Sequence, residues 1–135
     1  MHSKLLASIL LLSLTLPARL YAAPDDVAAL QAYLWKLEKQ FDLTSVAIDL
    51  HILPRTQMYE KNGVWGDCWY DNAGSHIEVM AARDFPNSYP RSEIGKMQQR
   101  ILQHELMHLA MIHAGIPNEI QDAVIELLQP RLARP

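Results

Sequence analysis

Apolar residues recur along this chain with periods that change from one stretch to the next. After Asp25 and Asp26 they fall at Val27, Leu30, Leu34, Leu37 and Phe41. Spacings of three and four place them on one side of an α-helix, and the two acids suit the positive end of its dipole. From Thr44 to Leu53 the β-branched content rises, and Asp49 and His51 alternate with apolar neighbours until Pro54 closes the run; this is the pattern of a strand. Lys61-Asn62-Gly63 reads as a turn between the runs Gln57 to Glu60 and Val64 to Tyr70, which predicts a hairpin, and Asp71-Asn72-Ala73-Gly74 makes a second turn. From Ser75 to Ala82, Ile77 and Val79 share one face of a further strand, while His76, Glu78 and Met80 share the other.

Arg83 to Arg91 holds Asp84, Pro86, Asn87, Ser88 and Pro90 without apolar periodicity, so it reads as a loop that delivers Ser92 as a helix cap. A long helix follows from Glu93 to Ala114. Gly115 stops it, Pro117 blocks its continuation, and Asn118 opens a last helix that runs to Gln129 before Pro130. The order predicts an α+β fold: an N-terminal helix, a small, mostly antiparallel sheet of three to four strands, and a C-terminal helical hairpin.

The first residues change the picture of what is retained. Lys4 precedes an uninterrupted stretch without charge from Leu5 to Leu16, then come Pro17 and the small residues Ala22 and Ala23. This is the layout of a secretory signal peptide, and about twelve residues fall short of the roughly twenty that a membrane span needs. Residues 1–22 are therefore expected to be removed, leaving 23–135 as one domain, exported to the periplasm or beyond, with no stable membrane insertion. Losing Lys4 and Arg19 takes the net charge from −3 to −5. An acidic chain without a Lys/Arg cluster is not built for nucleic acid. Cys68 is the only cysteine, so no intrachain disulfide can form; on a strand between Asp67 and Trp69 it reads as a buried small hydrophobe.

The chemistry lies in the long helix. His104-Glu105-Leu106-Met107-His108 reads H-E-x-x-H, and residues four apart share a helical face. Both imidazoles can thus reach one Zn²⁺, with Glu105 as general base toward a bound water. The flanking residues Ile101, Leu102, Leu106, Leu109 and Ile112 make the helix apolar nearly all round, which implies burial. A catalytic zinc needs a third ligand. If the last two helices pack antiparallel, the level of the histidine pair is met seven or eight residues beyond Asn118, which ranks Glu126 first. Asp122 lies one turn earlier on the same face and is the alternative, either as ligand or as acceptor for an imidazole N–H. Glu119 suits the helix dipole, and His113 could reach the metal only if the helix unwound. His76 or a tyrosine is a candidate to stabilise an oxyanion.

With this motif, and with an acid on the following helix, residues 75 to 129 resemble the zincin metallopeptidases, nearest to the gluzincin type. The resemblance implies a zinc ion held by two histidines and a downstream carboxylate, Glu105 as base, and a peptide or protein substrate bound along an antiparallel edge strand, for which Ser75 to Ala82 is the match by position. The H-x-x-G-x-x-H extension of the metzincins is absent. A second expectation stands beside the first: a zincin-like metal-binding or structural module without turnover.

Overall fold

The computed structural model describes residues 23–59 and 64–128. The leader expected over residues 1–22, the Lys61-Asn62-Gly63 turn and the Pro130 stop lie outside the described residues. The architecture is α+β: helix α1 (Val27–Gln40), strands β1 (Ile48–Leu53), β2 (Gly66–Asp71) and β3 (Gly74–Met80), then helices α2 (Ile94–His113) and α3 (Asn118–Leu128). Among the described residues no helix is long and apolar enough to cross a membrane.

Helix α1 forms as its spacing predicts. Asp26 caps it, its side chain accepting a hydrogen bond from Ala29 N at 3.0 Å, and Leu30, Leu34 and Leu37 are fully buried. Helix α2 starts differently from the expectation. Ser92 does not cap it; a 3₁₀ turn over Arg91–Glu93 leads straight into the α-helix. Its end follows the sequence closely. Gly115 adopts φ +74°, Gly115 N bonds Ile112 O at 3.0 Å and Ile116 N bonds Met111 O at 2.9 Å. This paired arrangement satisfies two of the orphan carbonyls of a helix end and needs a residue that tolerates a left-handed backbone.

The sheet has three strands in the order β1-β3-β2. β2 and β3 pair antiparallel across the expected turn at Asn72 and Ala73, with Ala73 N bonded to Asp71 Oδ1 at 2.8 Å. Two expectations are corrected. Gln57 to Tyr59 is not a strand: Arg55–Gln57 is a 3₁₀ turn, and the chain then crosses the sheet, with Tyr59 N donating to Glu78 Oε2 at 2.8 Å. β1 pairs with β3 in parallel, Asp49 beside His76 and His51 beside Glu78. One of the two pairings is thus parallel, and β3 is the central strand. It has no free edge on which to take a substrate.

Helix α2 is the hub. It packs on β2 and β3, on α1 and on α3. Buried side chains from all of them meet in one core, including Leu34, Phe41, Ile77, Val79, Ile101, Leu106 and Ile125. The buried Gln98 on α2 is fully used: its Nε2 donates to Met80 O at 3.0 Å and Asp25 Oδ1 at 2.9 Å, and its Oε1 accepts from Asp25 N at 3.0 Å. Asp25 Oδ1 also accepts from Ala82 N at 2.9 Å, which clasps the start of the described chain to the sheet and to α2.

α2 approaches the sheet closely at Gly66. A Cβ there would collide with Ile101 Cγ2 and lie 3.1 Å from Glu105 Oε1. Gly66→Ala should therefore cost about 1–3 kcal/mol of stability through overpacking, read as a lowered urea midpoint with an unchanged slope.

Candidate metal centre

Residues of α2 and α3 converge where the hairpin turns. His104 Nε2 and His108 Nε2 are 3.2 Å apart, and Asp122 Oδ1 lies 3.1 Å from His108 Nε2. His104, His108 and Asp122 form one of two groups among the described residues whose ligand atoms all fall within 4.8 Å of one another. Neighbouring ligand atoms of a tetrahedral ion with bonds of about 2.0–2.1 Å stand roughly 3.3 Å apart, so the two measured separations match tetrahedral edges.

The tautomer of His108 follows from its neighbours. Gln121, 2% exposed, sends its Nε2 to Ile116 O at 2.9 Å and to Asn118 Oδ1 at 3.0 Å. A backbone carbonyl only accepts, so the amide NH₂ must face it. The Gln121 Oε1 therefore faces His108 Nδ1, at 2.9 Å, and that nitrogen must carry a proton. In the neutral ring this leaves Nε2 with a bare lone pair, aimed at the point that His104 Nε2 and Asp122 Oδ1 also reach. His104 Nε2 either donates to that lone pair, which makes the 3.2 Å pair a hydrogen bond, or, with its proton on Nδ1, offers a second lone pair to a cation; an outer partner that fixes ring orientation is what metal-bound histidines use. The donor set therefore fits a borderline divalent ion.

His104, His108 and Asp122 are brought together. Glu126 is not part of the group and is exposed; α3 buries only Gln121 and Ile125, so its cover over α2 begins in its first turns, one turn before the level estimated for a strictly antiparallel pair. Glu119 is exposed in the first turn of α3. His113 remains helical and bonds elsewhere, with Nε2 3.2 Å from Ser75 Oγ and its ring edge-on to Tyr70. His76 belongs to the far face of the sheet, since Ser75 and Ile77 on either side of it face the helices; it is too far around to stabilise an oxyanion at this site. Gln121 was missed. Its signal was the Asn118-x-x-Gln121 spacing, which allows a side chain of the first helical turn to fold back on the cap.

Glu105 is turned beneath β2. It is buried, lies under Gly66, and its carboxyl group shares a hydrogen bond with the Cys68 thiol. Burial pushes its pKa up to about 8, assisted by the nearby charges of Asp67 and Asp122 and opposed by the Cys68 hydrogen bond. Burial and the Glu105 charge also push the Cys68 thiol up, away from the thiolate a nucleophile needs. Cys68 is thus more than the inert hydrophobe expected, because its S–H is tied to the motif.

No protein-family model, no curated protein and no solved structure matches this chain.

Since Glu105 binds its proton more tightly in the fold than in the unfolded chain, its contribution is most favourable below about pH 4.5 and is lost as pH rises through about 8. Urea titrations of the chelator-treated protein should show stability falling across that window, at up to about 1.4 kcal/mol per pH unit from this group. The difference between wild type and Glu105→Gln isolates it; identical slopes would remove the assignment.

Proposed function

We propose that this chain is an exported zinc-dependent hydrolase of peptide bonds, with zinc held by His104, His108 and Asp122 and with Glu105 as general base. The observation that carries this reading is the convergence of two imidazole nitrogens and a carboxylate oxygen, with His108 Nε2 fixed as a lone pair by Gln121. Two imidazoles and one carboxylate leave a coordination position open, the arrangement of catalytic rather than structural zinc sites. Bound there, zinc would supply a Lewis acid for a carbonyl group and acidify water.

The chain's own residues do the remainder. Gln121 orients His108. Glu105, next to His104 on α2, accepts a proton from the attacking water at its carboxylate and passes it to the leaving amine. A base is most effective when its pKa lies near the working pH, and a carboxyl group pushed up to about 8 is in that range. β2 sits directly over Glu105 and, among the described residues, is paired on one side only. An extended peptide can add to its free edge as a further strand, which brings a backbone carbonyl over the motif.

A second reading, a zincin-like metal-binding module without turnover, is favoured by the Cys68 hydrogen bond that occupies Glu105 beneath β2. Zinc content and peptide hydrolysis of the mature chain separate the two. On the hydrolase reading, Glu105→Gln keeps its zinc and loses about 10²–10⁴-fold in rate, Asp122→Asn loses zinc affinity at least about tenfold, and Glu126→Gln changes neither. A wild-type chain that binds zinc, hydrolyses no peptide, and melts lower on His104→Ala but not on Glu105→Gln is the module instead. A chain that binds no zinc refutes both.

A further inference from the structure

The face of the sheet turned away from α2 carries a second constellation. Asp49 and His51 are two apart on β1 and so share that face, and His76 on β3 is the register neighbour of Asp49. Ligand atoms of Asp49, His51 and His76 all lie within 4.8 Å of one another, with His76 Nδ1 3.8 Å from Asp49 Oδ2. We propose that these three residues form a second binding site for a first-row divalent cation of the zinc, copper or nickel class, independent of the centre on α2.

The arrangement around His76 supports this. Its other nitrogen, Nε2, lies 3.1 Å from Asp71 Oδ1. A carboxylate that accepts the Nε2 proton leaves Nδ1 as the lone-pair nitrogen, facing Asp49 and His51; this is the outer carboxylate that metal-bound histidines commonly have. The ring is also held in plane. Tyr59 stacks on Trp69 at 5.1 Å, Trp69 on His76 at 4.8 Å, and His76 on His51 at 6.2 Å, all within 20° of parallel. The His76 side chain is only 12% exposed, whereas that of Asp49 is 68% exposed. One ligand is thus fixed, and Asp49 has to close by only about 0.5 Å to bring its 3.8 Å separation to a tetrahedral edge of about 3.3 Å. Two imidazole nitrogens and one carboxylate select borderline ions over calcium or magnesium, which prefer oxygen alone. The remaining positions face solvent.

Calorimetric titration of the chelator-stripped mature chain with zinc chloride tests the site. The native chain should take two equivalents, His51→Ala one, His104→Ala/His108→Ala one, and the triple variant none; far-UV circular dichroism confirms that each is folded. His51 is exposed, so its replacement leaves the core untouched. If the native chain takes one equivalent that His51→Ala retains and the double variant loses, this proposal is overturned and the hydrolase reading stands. One equivalent that is lost with His51→Ala and kept by the double variant supports this site and removes the other. Zinc that survives in the triple variant overturns the assignment to these residues.

Discussion

A helix that is apolar on nearly every side has to be covered on nearly every side, and α2 imposes this requirement on the rest of the chain. Thirteen of its twenty residues are buried, far more than one face supplies, so a sheet alone could not cover it. The β2–β3 pair takes one side, α1 another, and the first turns of α3 a third. Polar groups carried inside by this arrangement are satisfied locally, Gln98 by Asp25 and Met80, Glu105 by Cys68. His104 and His108 lie along the seam where the cover from α3 begins. They are the part of α2 left half-open, and that position makes a buried helix available for chemistry.

Polarity passes to the site from the backbone outward. The Ile116 carbonyl fixes the Gln121 amide, the amide fixes the His108 ring, and the ring presents one nitrogen toward Asp122 and His104. Each step uses a group that can act in only one sense. This makes the turn between α2 and α3, with its left-handed Gly115, part of the site even though none of its side chains reaches the converging atoms.

The sequence was most legible where a signal is local. The apolar spacing of α1, the Asn72-Ala73 turn, the length of α2 and the stop at Gly115 all follow from neighbours within a few residues, and the α+β class follows from their order. Strand direction did not. A period of two is the same for parallel and antiparallel pairing, so nothing in β1 announced that it would lie parallel to β3, on the edge opposite β2. The histidines were legible because helical spacing alone unites them. The third group was not, because its choice between Asp122 and Glu126 turns on how two helices cross. Likewise, the alternation along β3 placed His76 and Glu78 on one face, but only the register with β1 brings Asp49 and His51 beside them.

The clasp between Asp25 and Gln98 joins residues 73 positions apart, whereas β2 and β3 meet across two residues. Closing a long loop is entropically costly and is repaid only once its far end has somewhere to dock. The surface on which Asp25 docks is made by the end of β3 and by α2. Residues 66–122 contain every group of the α2 centre. In the folded protein α1 is held twice over, by the Asp25 clasp at its start and by the fully buried Leu30, Leu34 and Leu37 along one face.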